Sequence, residues 1–438
     1  MRAKLRLKYK SIDDIIIMVF IYFSEKVIIM IKGELLSPAG DAECFDNALN
    51  FGADAIYLAG KQFGMRSAPA NFDMDTLRAS IEKAHKKNVK VYVTCNTLPR
   101  NSEIDRMPQF LEAVADCGAD AFIIADLGVM SLAAKYAPSV ERHVSTQAGV
   151  VNYQTARMLY DMGASRVVLA RELTLDDIAG IRAKTDPRLE IETFVHGSMC
   201  VSFSGRCLIS SYLTGRDANR GDCAQPCRWK YYLYEEHREG QFFPVIEEDG
   251  GTFLYNSRDL CMIEHIDDLL KAGVKSLKIE GRAKAAYYVA VTTNAYRHAL
   301  DDYYAQGENW TLAPWIKEEL EKVSHRAYNT GFFYGGEPGQ STSDGGYIRK
   351  YEVVAVCDDY RDGTAYLTQR NRFFCGDELD ILPPSGIPFG FKVDNMFNDQ
   401  GEAIESAPHA MQKLTVNTDV IIPKGSLLRK KRSHTNIQ

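Results

Sequence analysis

Cysteine is scarce in this chain, and that scarcity excludes one broad class of protein. Ten cysteines among 438 residues are far fewer than a small secreted domain held together by disulfides would need. Positive charge is not in excess either, because the formal net charge is −6. The composition excludes a generally basic protein that coats nucleic acid, so any contact with RNA has to come from local basic patches.

Several motifs are absent as well. Neither G-x-G-x-x-G nor G-x-x-x-x-G-K-[ST] occurs, which argues against a dinucleotide-binding sheet and against a P-loop. H-E-x-x-H and G-x-S-x-G are also missing. The sequence therefore gives no support to a zinc protease of that type or to a serine hydrolase.

The apolar run near the start, "IIIMVFIYF", is too short to cross a membrane. Basic residues precede it, as in a signal peptide, but no small-residue cleavage site follows. We interpret residues 1–32 as an extension outside the fold and expect a cytoplasmic protein without membrane contact. Export is the alternative interpretation.

Short apolar runs alternate with amphipathic, helix-length stretches from Glu34 onwards, which is typical of repeated βα units around a parallel sheet. We predict eight strands, the number found in a TIM-type (β/α)8 barrel, over residues 33–336. After Tyr347 the apolar period shortens, and we predict a small all-β barrel over residues 337–438. The predicted strands are "ELLS", "AIYLAG", "KVYVTCNT", "AFIIAD", "RHVSTQ", "RVVLARE", "LEIETFVHG" and "VKSLKIEG".

Barrel enzymes build their sites at the carboxyl ends of the strands, so polar residues there are candidates. As a set they suggest a hydrogen-bonding pocket for an anionic ligand, although for any one of them a helix cap or a polar loop position is the competing interpretation. The candidate ligand-binding residues are Arg66, Asn96, Gln147, Arg171 and Arg282, with Glu280 beside them.

Four of the ten cysteines are clustered directly after the seventh predicted strand. Cys200, Cys207, Cys223 and Cys227 have the spacing C-x6-C-x15-C-x3-C, and we predict a metal-binding loop over residues 199–230. Four thiolates can hold either zinc or a 4Fe-4S cluster, while disulfides or free thiols are further possibilities. The paired C-x2-C knuckles usual in zinc ribbons are absent, and this favours iron-sulfur.

Residues Glu192–Ser210, "ETFVHGSMCVSFSGRCLIS", resemble the signature of the collagenase-like U32 peptidases. The resemblance extends to "ELLSPAGD", "GADAIYLAG", "LKIEGR" and "GDCAQPCRWKY", and so covers about residues 33–438. Within that family the chain length and the β-rich carboxyl region are most similar to the tRNA 5-hydroxyuridine hydroxylation proteins. The resemblance implies a 4Fe-4S cluster on the four cysteines, tRNA as partner and prephenate as the hydroxyl donor, without molecular oxygen.

These expectations assign roles to individual residues. Arg66, Arg171 and Arg282 are hypothesised clamps for the two carboxylates of prephenate, because arginine pairs with carboxylates through two parallel hydrogen bonds. Glu192 would orient a ligand or basic group, and His196, placed at the rim, would transfer protons near neutral pH. The competing interpretations are that Glu192 pairs with Lys278 inside the barrel and that His196 only bonds a loop carbonyl.

For RNA, Arg228 and Trp229 combine a cation with a stacking surface, and Lys430 and Lys431 lie in a basic carboxyl-terminal tail that could equally be a frayed end. Other functions remain open at this point. They are a peptidase with Cys200 as nucleophile and His196 as base, hydroxylation of ribosomal RNA, and a non-catalytic iron-sulfur partner that works with another protein, such as a family paralogue.

Overall fold

The computed structural model describes residues 32–64, 70–200, 202–203, 205–229, 257–336 and 347–432. Eight parallel strands form a closed barrel, in which the first strand pairs with the second and also with the last. All eight predicted strands are found, and the predicted (β/α)8-type barrel is confirmed. The barrel strands are β1 (Glu34–Pro38), β2 (Ala55–Leu58), β3 (Lys90–Cys95), β4 (Ala121–Ile124), β5 (Glu141–Val144), β6 (Arg166–Val168), β7 (Glu190–Ser198) and β9 (Ser276–Ile279).

Two short strands extend the sheet beyond the closed barrel. One pairs antiparallel with the end of β7, and the other pairs parallel with the first. They lie close to the long helix that follows β9, because Tyr296 in that helix accepts from and donates to backbone groups of Met262 and Val195. These strands are β8 (Asp259–Cys261) and β10 (Tyr328–Asn329).

Helices surround the barrel and bury their apolar faces against it. Several begin at a side chain that caps the first turn: Asp41, Asp73, Asp126 and Asn152 each accept a hydrogen bond from a backbone N–H three residues later, which compensates N–H groups without a helical partner. The helices are α1 (Ala42–Asn50), α2 (Met74–His85), α3 (Asn101–Ile104), α4 (Met107–Asp116), α5 (Leu127–Tyr136), α6 (Tyr153–Asp161), α7 (Leu175–Ala183), α8 (Ile209–Thr214), α9 (Ile266–Lys271), α10 (Ala286–Gln306) and α11 (Pro314–Leu320).

The carboxyl-terminal part is all β and antiparallel, as predicted. Seven of its strands form one sheet, in the order β15-β14-β19-β11-β12-β18-β16, and β13 pairs with β17. Within residues 347–432 these pairings do not close into a ring. The strands are β11 (Tyr351–Arg361), β12 (Thr364–Gln369), β13 (Phe373–Phe374), β14 (Glu378–Leu382), β15 (Phe389–Lys392), β16 (Phe397–Asn398), β17 (Ser406–Ala407), β18 (Lys413–Asn417) and β19 (Leu427–Lys431).

Buried contacts join the two parts. The fully buried guanidinium of Arg429 pairs with Glu319 of α11 at 2.6 Å and with Asp380 of β14 at 3.1 Å. Leu382 and Leu427 pack into the core that the barrel shares with its helices. In the part of the chain that the structure covers, no helix has the length and apolar character required to cross a membrane.

Candidate active site at the barrel mouth

The lower half of the barrel, at the amino ends of the strands, contains a buried network of charges. Arg166 contacts Glu34 at 2.6 Å, Glu190 at 2.6 Å and Glu192 at 3.0 Å, and Lys278 contacts the second oxygen of Glu192 at 2.8 Å. Burial by itself would raise the pKa of Glu192, but Lys278 and Arg166 hold it below its ordinary value. Both oxygens of Glu192 are therefore used inside the barrel, and no contact supports the predicted orienting role.

The upper half holds a second arginine with fewer acidic neighbours. Arg171, which follows β6, pairs with Glu280 at 3.0 Å and donates to the carbonyl of Ser198 at 2.9 Å. Its guanidinium lies 3.9 Å from the ring centroid of Phe194, a stacking geometry that fixes its orientation. The structure thus brings together two predicted site residues, Arg171 and Glu280, at the carboxyl ends of β6 and β9.

Gly197 determines where Glu280 can lie. Its φ is +110°, and a Cβ at this position would approach the Glu280 carbonyl oxygen to 2.5 Å. Only glycine accepts both this backbone conformation and this approach. The motif "HGS" of the signature therefore positions the end of β9 and, with it, the Glu280 side chain.

Arg282 is also at the mouth, almost fully buried at 4% exposure. It donates to the hydroxyl of Thr94 in β3 at 2.9 Å and to the amide oxygen of Asn71 at 3.2 Å. These two partners were not predicted. Asn71 has a positive φ of 52°, which asparagine tolerates better than most residues, but nothing in the sequence connects it with Arg282.

The remaining predicted ligand-binding residues differ in what can be said of them. Asn96 is half-buried after β3, on the same side of the barrel as Thr94. Gln147 lies in the short helix Thr146–Ala148 after β5, and its buried side-chain oxygen has no hydrogen-bond partner among the described residues. Arg66 lies outside the described residues.

The predicted rim position of His196 is wrong. The regular alternation of β7 is interrupted between Phe194 and His196, so His196 points to α10 and β10, where it packs against Tyr296 and Tyr328 with ring centroids 5.5 and 5.3 Å away. Burial lowers the pKa of His196 to about 3. A histidine that stays neutral at pH 7 and is closed off from the mouth does not transfer protons there.

The loop that carries the four cysteines leans over one side of the mouth. Gly205, with φ +76°, approaches so closely that a Cβ would lie 2.8 Å from the Gln147 carbonyl oxygen. Arg220 pairs with Glu103 of α3 at 2.6 Å. These contacts fix the loop against the segments that follow β3 and β5, beside the candidate pocket.

The thiols of this loop suit a metal by type. Cys200 is exposed, and Cys207, Cys223 and Cys227 are partly exposed. Burial raises the pKa of Cys227, Arg228 lowers it, and the charges of Cys200 and Cys223 raise it further, so these three cysteines are close neighbours. However, no three histidine, cysteine, aspartate or glutamate side chains are arranged as a metal site anywhere in the described chain. The fit to a cluster therefore rests on the donor chemistry alone.

The residues predicted to contact RNA fall in two places. Arg228 is partly buried and donates to the Tyr347 hydroxyl at 3.1 Å and to the Met199 carbonyl at 3.3 Å, and Trp229 beside it is 43% exposed. Lys430 and Lys431 belong to β19, so this segment is an ordered strand, and Lys430 pairs with Asp377 at 3.1 Å. The sequence did not reveal Tyr347, although "GRAK" places a further cation, Lys284, two residues after Arg282.

A closed (β/α) barrel with a cysteine-rich loop at its mouth and an antiparallel β region behind it defines the class of protein. Residues 40–343 match the model of peptidase family U32, and residues 349–429 match the model of the U32 carboxyl-terminal domain. The chain belongs to peptidase family U32.

Curated relatives narrow this further. The chain is 36% identical over 409 residues to tRNA hydroxylation protein P1 of Bacillus subtilis, which covers 92% of this chain and 96% of the relative. It is 35% identical to tRNA hydroxylation protein P of Escherichia coli, over 86% of this chain and 92% of the relative. It is also 35% identical to the 23S rRNA 5-hydroxycytidine C2501 synthase of Escherichia coli, over 80% of this chain but only 52% of the relative.

Proposed function

We propose that this protein supports hydroxylation of the wobble uridine of tRNA to 5-hydroxyuridine, with prephenate as the hydroxyl donor and without molecular oxygen. The observation that carries the proposal is the match over nearly the full length of the tRNA hydroxylation relative. The ribosomal RNA enzyme is matched over about half of its length, which favours tRNA over ribosomal RNA as the substrate.

The mouth suits a small acid with two carboxylates. Arg171 and Arg282 lie at the ends of β6 and β9, and each presents a guanidinium oriented by fixed partners. Such arginines bind carboxylates with good geometry because little side-chain freedom is lost on binding. Glu280, paired with Arg171, would select against a third negative charge at that position.

The four thiolates of Cys200, Cys207, Cys223 and Cys227 would hold a 4Fe-4S cluster. With all four ligands from the protein, such a cluster supplies electron transfer or structural support rather than an open iron for substrate. Arg228, next to Cys227, offsets the negative charge that the thiolates gather. The loop contacts with Gln147 and Glu103 keep these cysteines beside the mouth.

Peptidase activity has no comparable support. The hypothesis needed His196 as the base for a Cys200 nucleophile, and the ring of His196 is buried among tyrosines instead. Its low pKa also leaves it a weak base.

Nucleoside analysis tests the proposed function. The gene would be expressed, without air, in a host that lacks its own wobble-uridine hydroxylation, and nucleosides from purified tRNA and rRNA would be measured by mass spectrometry. We expect 5-hydroxyuridine in tRNA, and its loss when prephenate synthesis is blocked in the host. A hydroxylated cytidine in ribosomal RNA and none in tRNA would contradict the proposal.

Metal analysis tests the cluster separately. Anaerobically purified protein should contain iron and sulfide near four of each per chain, the composition of one 4Fe-4S cluster. The double variant Cys223→Ala, Cys227→Ala should lose both, while Cys44→Ala, Cys375→Ala, which removes two thiols outside the loop, should keep them. Zinc in place of iron, or no metal in a folded wild-type protein, would contradict the cluster.

A further inference from the structure

We propose that the cations around Tyr347 form a binding site for the phosphate backbone of single-stranded RNA, with Tyr347 and Trp229 as stacking surfaces. This inference rests on the proposed function and adds to it the place where the RNA is held. We call this set the Tyr347 cluster; its members are Tyr347, Arg228, Lys284, Arg326 and Arg349.

Three cations surround the ring of Tyr347. The distances from the ring centroid are 4.5 Å to the Arg326 guanidinium, 5.1 Å to the Lys284 ammonium and 5.7 Å to the Arg349 guanidinium. The hydroxyl accepts hydrogen bonds from Arg326 at 2.8 Å and from Arg228 at 3.1 Å. Four positive side chains therefore converge on one phenol.

This positive charge is not balanced locally. Arg326 pairs with Asp259 at 3.2 Å, but among the described residues no carboxylate lies within ion-pair distance of Arg228, Lys284 or Arg349. Arg326 is fully buried, and its Nε has no hydrogen-bond partner within the described ranges. Like charges at this spacing repel one another, and a bound anion would offset that repulsion.

The position of the cluster connects it with both parts of the candidate site. Arg228 directly follows Cys227, and Lys284 is two residues beyond Arg282, so the cluster lies between the cysteine loop and the mouth. Tyr347 is 38% exposed and Trp229 is 43% exposed. A strand bound here could place one base in the mouth while its backbone contacts the cations.

The chemistry favours RNA over a small acid as the ligand. A small dicarboxylate would be enclosed by Arg171 and Arg282 inside the mouth, whereas the Tyr347 cluster lies at the surface and offers exposed aromatic faces. Cations interleaved with aromatic rings are the arrangement that binds single-stranded nucleic acid, in which phosphates meet the cations and bases stack on the rings.

The test is the salt dependence of RNA binding. Affinity for a fluorescein-labelled tRNA anticodon stem-loop would be measured by anisotropy over a series of KCl concentrations, for the wild type and for Lys284→Ala, Arg349→Ala. Each lost phosphate contact on a single strand lowers the slope of log K against log salt by about 0.7, so we expect the double variant to lose about 1.4.

The matched control is Lys86→Ala, Lys87→Ala, at the carboxyl end of α2 and thus at the opposite end of the barrel. It removes the same charge and should keep the wild-type slope. Tyr347→Phe should stay within about twofold of wild-type affinity because the ring remains, whereas Tyr347→Ala should bind about tenfold more weakly through lost stacking. Thermal unfolding of each variant would verify that it is folded.

The outcomes separate this inference from the proposed function. Equal slopes for the wild type, the double variant and the control would overturn the site while leaving hydroxylation in place. An unchanged slope with a raised KM for prephenate would also overturn it, because the cluster would then serve the small acid. A wild-type protein without salt-dependent RNA binding would remove the proposed function itself.

Discussion

Arg166 in the lower half of the barrel is held by three carboxylates, whereas Arg171 in the upper half faces Glu280 alone. In the lower half, burial acts to raise the pKa of Glu34, yet Arg166 and Tyr92 hold it at about 2. In the upper half, Arg171 Nε and Gln147 Oε1 are buried without a hydrogen-bond partner in the described part of the chain. The same residue types thus close one end of the barrel and leave binding capacity at the other.

This difference agrees with the general division of such barrels. Residues at the amino ends of the strands stabilise the fold, and residues at the carboxyl ends carry chemistry. A charged residue inside the barrel is therefore assigned a role by its height along the strand more than by its type. Glu192 is the clearest case, since a glutamate within the family signature belongs to the lower network.

The largest expected effect is the loss of Arg166. Arg166→Met would leave Glu34 and Glu192 buried with only part of their compensation, and breaking a buried ion pair from one side costs about 3–5 kcal/mol. Urea unfolding should show a lower midpoint with an unchanged slope. The control is Arg188→Met, because Arg188 is 80% exposed and pairs with Asp186 at the surface, and we expect its midpoint to stay near the wild-type value. Equal midpoints for both variants would contradict a stabilising role for the lower network.

At the mouth the expected effect is on activity. Arg282→Ala should reduce hydroxylation by about 100-fold or more, since it removes a charged group that would bind a carboxylate in a buried site. Iron content and folding should persist. Arg282→Lys keeps the charge but not the planar fork, so it should restore only part of the activity. Full activity in Arg282→Ala would remove this residue from the proposed mechanism.

The fold could be predicted from the sequence because its signal is local and repeated. Each barrel strand is an apolar run bounded by polar residues, and eight of them appear at regular intervals. The hairpin of β11 and β12 also follows from Asp362-Gly363, both of which have a positive φ in the turn. Such features need no knowledge of distant contacts.

The site was less accessible because it depends on such contacts. Strand ends correctly suggested that Arg171 and Glu280 lie at the mouth, but the irregularity after Phe194 turned His196 away, and no residue type in "FVHG" announces it. The partners of Arg282 come from two other segments, at Asn71 and Thr94. Tyr347 is 119 residues from Arg228, a separation over which a single sequence gives no pairing signal.

The smallest expected effect concerns His196, and it distinguishes a buried structural histidine from a catalytic one. Its pKa is lowered to about 3, first by burial and then by the positive charges of His325 and Lys284, against an opposing effect of Asp259. The unfolded chain binds a proton at this histidine below about pH 6.5 and the folded chain does not, so stability falls as pH decreases through this window. Between pH 7 and pH 5.5 the loss should be about 1 kcal/mol. His196→Gln should abolish that part of the pH dependence and leave the pH profile of hydroxylation unchanged, whereas His85→Gln, at an exposed position on α2, should keep the wild-type dependence. A shifted pH profile of hydroxylation in His196→Gln would return His196 to the reaction and would contradict its assignment to the packing between β7 and α10.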